Sequence, residues 1–222
     1  MKKIVTIIVL LALAMPALLA QEPEVESSTE KQKQKQNPGK VQTLFGPHAG
    51  NGGYGAFSIG YTKINGKDAL LMGGRGEWVV GHGFGLGLGG YGFINDPTYN
   101  QVDDLNYSLA GGYGGLIMEP IVFGWFPVHM AFPILIGAGG VANTAYTADY
   151  YDPYEYYNGF MVESSAFFVA EFTAEVEFNL VRFFRLALFG SYRYTSDIIM
   201  ADIPADALRG WSAGMTFKFG SF

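Results

Sequence analysis

Eight charged side chains are spaced so that they could act together. Glu171, Glu175 and Glu177 fall four and two residues apart in "FFVAEFTAEVEFNL", Arg75 and Glu77 two apart in "GGRGEWVV", and Arg185 and Arg193 eight apart in "RFFRLALFGSYRY". Lys218 stands alone among the charges of "MTFKFGSF". Even separations put each set on one side of an extended chain, a geometry for ion pairing across strands. The chemistry of nucleophiles and metals is poorly supplied. There is no Cys, which removes thiolate catalysis, Cys-zinc sites and disulfides. A serine nucleophile needs a His oriented by a third group, and the only histidines are His48, His82 and His129. "PVHMAF" around His129 has no nearby Ser, and no His cluster has metal-ligand spacing. "GLGLGG" at Gly85–Gly90 spells a dinucleotide fingerprint, but the helix that must follow is missing. With 31 glycines in 222 residues such spellings arise by chance. The expectation is a protein that is not an enzyme and carries no cofactor or metal.

The elements that hold these charges have a period of two. In the first quoted stretch Phe168, Ala170, Phe172, Ala174, Val176, Phe178 and Leu180 share one face, with the glutamates on the other. Eight such strands are read near 50–64, 68–80, 82–95, 105–119, 127–142, 164–180, 182–195 and 209–222. Most exceed the usual five or six residues and reach the nine to eleven or so that cross a bilayer. In the third strand Phe84, Leu86, Leu88 and Ile94 oppose Gly83, Gly85, Gly87 and Gly89, which leaves one face bare. The fifth is the weakest, apolar on both faces and broken by Pro133, which cannot donate to a ladder.

The ends of the chain add context. "MKKIVTIIVLLALAMPALLA" has the basic start, short apolar core and small residues of a secretory signal over 1–20. Residues 21–47, with "KQKQKQ", are too polar to fold alone and read as a disordered periplasmic tail, leaving 48–222 for the strands. Charged residues are 15% and aromatics 16%, a balance that suits a wall facing lipid on alternate positions. A net charge of −6 speaks against nucleic acid.

With the signal, eight long alternating strands and the closing "RGWSAGMTFKFGSF", residues 48–222 resemble small bacterial outer-membrane β-barrels. The type is the eight-stranded membrane domain of outer-membrane protein A and its single-domain relatives. The resemblance implies an all-β, antiparallel, up-and-down transmembrane barrel in the outer membrane, in contact with lipid and lipopolysaccharide. It also implies that a final aromatic, Phe222, is read by the barrel-insertion machinery. Phe222 is out of phase with Trp211, Met215, Phe217 and Phe219, so this requires a bulge at Gly220 or Ser221.

Turning apolar faces outward puts Arg75, Glu77, Glu171, Glu175, Glu177, Arg185, Arg193 and Lys218 inside as an ion-pair network filling the lumen. A turn centred on Val181 sets Glu177 opposite Arg185 and Glu171 diagonal to Arg193. The third outer connection, 143–163, holds Tyr146, Tyr150, Tyr151, Asp152, Tyr154, Glu155, Tyr156 and Tyr157. It is a candidate recognition loop for an extracellular ligand, a contributor to the aromatic girdle, or a Ca²⁺ holder. The expected role is envelope structure or contact through the outer loops; a narrow ion path and a lipid-modifying enzyme are the alternatives.

Overall fold

The computed structural model describes residues 51–147 and 159–222. The signal at 1–20, the tail at 21–47, and Tyr150, Tyr151, Asp152, Tyr154, Glu155, Tyr156 and Tyr157 lie outside the described residues. Alternation governs what is described. In most segments apolar and polar or small side chains alternate, so each extends and offers one face to each side.

The strands in chain order are β1 (Asn51–Ile64), β2 (Lys67–Val80), β3 (Phe84–Asn95), β4 (Thr98–Asn100), β5 (Leu105–Val122), β6 (Val128–Ala131), β7 (Ile134–Thr147), β8 (Phe160–Val181), β9 (Phe184–Thr195) and β10 (Gly210–Ser221). All pairings are antiparallel. They run β1–β2–β3–β5, then through β6 and β7 to β8, β9 and β10, and β10 pairs back onto β1. The result is a closed barrel of eight staves, because β6 and β7 are two halves of one.

That stave divides at Phe132–Pro133. The ladder bridges the gap, since the Phe132 amide donates to the Pro120 carbonyl at 2.9 Å and Pro133 accepts from the Thr173 amide at 2.9 Å. Only the missing Pro N–H is lost. β4 is a short addition folded onto the start of β5. Both β5 and β8 exceed their expected lengths.

The short connections β2–β3, β5–β6 and β8–β9 lie at the same end as Asn51 and Ser221, here the terminal end. The β3–β5 and β9–β10 connections lie at the opposite, loop end, together with the tight β1–β2 turn. Asn65 and Gly66 make that turn with φ of 52° and 74°, the left-handed pair that two-residue hairpins require.

Large apolar side chains cover the outside: Phe168 is 75% exposed, Leu88 67% and Ile136 54%. Aromatic rings ring both ends of this band. Tyr192 and Trp211 meet edge-on at 5.0 Å near the loop end, and Phe184 stacks on Phe219 at 4.8 Å near the terminal end. Within this band the charged side chains, among them Arg75, Glu77, Glu175, Arg193 and Lys218, are inside. This is the reverse of a water-soluble sheet protein, and the solvent such a wall requires is hydrocarbon.

Candidate functional site

The lumen is layered. At the terminal end Tyr54, Val79, Ile121 and Ala131 form a small apolar floor, joined by Phe222. A charged belt lies above it. Toward the loop end a larger apolar cluster takes over, including Ile64, Leu71, Phe93, Leu109, Phe167 and Val169.

The belt is built on three cations. The Arg75 guanidinium grips Glu175 with two bonds, 3.0 and 2.7 Å, and reaches Glu119 at 2.9 Å. Its Nε lies 3.0 Å from Glu77. The Lys218 ammonium, wholly buried, sits among three carboxylates: Glu119 at 3.0 Å, Glu175 at 2.9 Å, and Glu177. Arg185 lies 3.4 Å from Glu177 and stacks over the Phe222 ring at 3.8 Å. His129 bridges the Phe126 carbonyl at 3.2 Å and Glu177 at 2.8 Å. Tyr54 donates to Glu119 at 2.8 Å. Buried charges survive only when paired and hydrogen-bonded, and here nearly every oxygen has a donor. Glu77 is the loosest member, since its oxygens accept no hydrogen bond among the described residues.

Arg193 and Glu171 stand apart from this belt. Arg193 donates to the Leu208 carbonyl at 2.8 Å and reaches Thr62 at 3.3 Å, while Glu171 accepts from Tyr113 and Ser191, both at 2.6 Å. They are directly opposite across β8–β9, and Glu177 is opposite Ala187. The expected register is therefore corrected by two residues. The turn is at Arg182–Phe183 rather than centred on Val181, with an irregularity between Asn179 and Val181. Glu177 meets Arg185 diagonally, and Arg193 forms no direct ion pair with a carboxylate among the described residues.

Two members of the belt escaped the sequence reading. Glu119 sits in "LIMEPIV", where apolar neighbours on both sides hide the alternation, although its odd number matches the inward Tyr113 and Ile117. His129 had the same signal in "VHMA", with Val128 and Met130 outward.

The bare face of β3 explains how the belt fits. A Cβ at Gly85 would lie 2.5 Å from a Glu77 oxygen, and one at Gly89 would lie 2.6 Å from both Arg75 Cβ and Ile117 Cδ1. The glycines hold the volume that these side chains occupy, and no phosphate-binding turn is present.

Both ends are covered. Phe222 faces inward, 5.5 Å from the Tyr54 ring, because β10 pairs with β1 without interruption from Ser212 to Ser221. The bulge that would turn it outward is absent, so its side chain does not join the lipid-facing row. At the loop end residues 196–209 form a strap over the mouth. Ile198, Met200, Ala207 and Leu208 are buried in the larger cluster. The Asn65 amide donates to the Ala207 carbonyl at 2.8 Å, and Arg209 joins the two ends of the strap through Asp197 at 2.5 Å and ties it to the Thr195 carbonyl at 2.9 Å.

On the rim, Tyr146 lies half-buried in β7 opposite Asn106. Asp103 and Asp104 are engaged by Tyr107 and Tyr99, at 2.5 and 2.7 Å. Asp104 draws Tyr99's proton in, which raises that phenol above its usual range. Among the described residues the only three carboxylates close enough for a shared cation are Glu119, Glu175 and Glu177, and Lys218 already stands among them.

No family model matches the chain, and no curated protein matches it. Solved structures do. One is Ail, the attachment invasion locus protein of Yersinia pestis, in complex with the heparin analogue sucrose octasulfate: 12% identity, 78% of this chain and 99% of that one, TM-score 0.40. Another is Neisserial surface protein A, at 9% identity, 78% and 97% coverage and TM-score 0.45. A third is the N-terminal β-barrel domain of Pseudomonas aeruginosa OprF, at 13% identity, 77% and 96% coverage and TM-score 0.41.

Proposed function

We propose that the chain is an integral outer-membrane barrel whose lumen is a packed, ion-paired core and whose loop end is its contact surface toward the exterior. One observation carries this reading: between the two rims, Arg75, Glu77, Glu119, Glu171, Glu175, Glu177, Arg185, Arg193 and Lys218 are buried inside while rings and aliphatic chains face out. On it, residues 1–20 direct export and are removed, and 21–47 trail in the periplasm. The insertion machinery then meets the last strand before Phe222 turns inward. His129 is held between the Phe126 carbonyl and Glu177 inside the wall, which suits a packing role rather than a catalytic one.

The narrow ion path is the weaker reading. An ion crossing the lumen would have to displace the floor, the belt and the strap in turn, and eight-stranded barrels leave an interior that side chains fill. Membrane fractionation with heat-modifiable gel migration tests the first half: the folded chain should partition with outer membrane and migrate faster unboiled than boiled. A planar bilayer tests the second half, and stable single-channel steps from the full chain would overturn a closed core.

A further inference from the structure

We propose that the cleft at the loop end binds a neutral oligosaccharide, an inference that rests on the loop end facing the exterior. The cleft has a volume of about 780 Å³, inside the range of roughly 300–1,000 Å³ typical of small-molecule sites. Its floor is fixed. The Asn95 side-chain oxygen accepts from the Leu109 amide at 2.8 Å and from the Ser108 hydroxyl at 3.3 Å.

Its walls are braced on two sides. The β4–β5 hairpin is stiffened by Tyr99 on Asp104 and Tyr107 on Asp103, and Asn100 accepts from the Val102 amide at 3.1 Å. Opposite, the strap is tied to β8 by the Ala201 amide donating to Glu163 at 2.7 Å. A site braced before its ligand arrives loses less entropy on binding.

The lining selects the ligand class. Asn65, Asn100, Gln101 and Asn143 bring side-chain amides, each of which both donates and accepts. Sugar hydroxyls do the same, so amides and hydroxyls match in pairs. Tyr99, Tyr107, Val102 and Ile203 add apolar surface for the C–H faces of sugar rings. The charged lining is Lys67 against Glu163 and Asp202, one cation and two anions. That balance disfavours a sulfated or phosphorylated chain. The volume accommodates a ligand of two or three sugar rings.

The test is titration calorimetry on the full folded chain in a non-glycosidic detergent. The probes are maltotriose and chitotriose, with a sulfated trisaccharide and a neutral tripeptide as controls. Ala201→Trp narrows the cleft from the strap, and Asn143→Leu removes one amide from the far wall. Saturable binding of a neutral trisaccharide, weakened roughly tenfold or more by each variant, is the expected result; tenfold is about the worth of one net hydrogen bond. Each variant is first shown to retain heat-modifiable migration.

Binding of the sulfated sugar or the tripeptide alone, or of neither neutral sugar, overturns the proposal. So does neutral-sugar binding that both variants leave unchanged. A version with 148–158 replaced by a Gly-Ser segment is run in parallel, and binding seen only in that version also overturns it. A barrel that migrates as folded yet binds no sugar sinks this inference alone, whereas a chain that never shows heat-modifiable migration sinks the reading beneath it.

Discussion

Replacing Lys218 with Met keeps the length and girth of the side chain and deletes only the charge at the centre of the belt. In the native lumen that ammonium lies within 3.0 Å of Glu119 and Glu175 and also contacts Glu177, with none of it exposed. After substitution Glu119 and Glu175 retain Arg75, and Glu177 retains His129 and the longer contact to Arg185. Three carboxylates then face one another across a dry gap without their shared cation. Removing one partner of a buried ionic group costs about 3–5 kcal/mol, which is roughly two to three and a half powers of ten in the unfolding constant. The assay is urea unfolding of vesicle-inserted protein, followed by fluorescence from Trp78, Trp125 and Trp211, all on the exposed side. A double substitution, Lys218→Met with Glu177→Gln, removes one of the stranded acids and should recover about 1 kcal/mol or more of the loss, a coupling in the usual range for contacting residues. If Lys218→Met falls within about 1 kcal/mol of the parent, or if the two substitutions are additive, the lumen is wet at this level and the ionic account fails.

Glu77→Gln should cost less than about 1 kcal/mol in the same assay, because its oxygens accept no hydrogen bond among the described residues and Arg75, its ion-pair partner at 3.0 Å, keeps Glu119 and Glu175, whereas Glu175→Gln, which breaks the two-bonded grip of Arg75, should cost several times more. Gly89→Val places atoms on Arg75 and Ile117 and should lower stability by about 1–3 kcal/mol or abolish the compact gel form. Leu88→Arg, on the lipid side near the middle of β3, should cost about 2–4 kcal/mol, against no more than about 1 for Trp211→Arg at the rim. Leu208→Ala, which removes a strap side chain wholly buried in the cluster below it, should cost about 2–5 kcal/mol and raise the exchange rate of the Asn65 amide, read by hydrogen exchange; an unchanged rate would mean the strap is not held from below.

The stave pattern was open to reading because alternation is imposed by the wall itself: each lipid-facing Phe, Leu or Ile forces the next side chain inward. Where that contrast fades, so does the reading. Glu119 is surrounded by Leu116, Ile117, Met118 and Ile121, and only parity with Tyr113 marks it as interior. The β8–β9 register depended on which two residues turn, and "NLVRFF" offers several equivalent choices until packing selects one. Phe222 needed a bulge to point outward, and an aromatic floor against Tyr54 and beneath Arg185 is the better-packed alternative. The strap left a trace in "SDIIMADIPADAL", whose Ile, Met and Leu are too apolar for a solvated connection. A loop that folds back into its own mouth, though, is a tertiary event with no period to read.

The strand that closes the ring also carries the belt's central cation. Lys218 on β10 meets Glu119 of β5 across the lumen only in the closed ring, so closure and the full settling of the interior charge go together. A partly shut cylinder would retain an electrostatic reason to stay open to water, and only the completed one can afford to be dry.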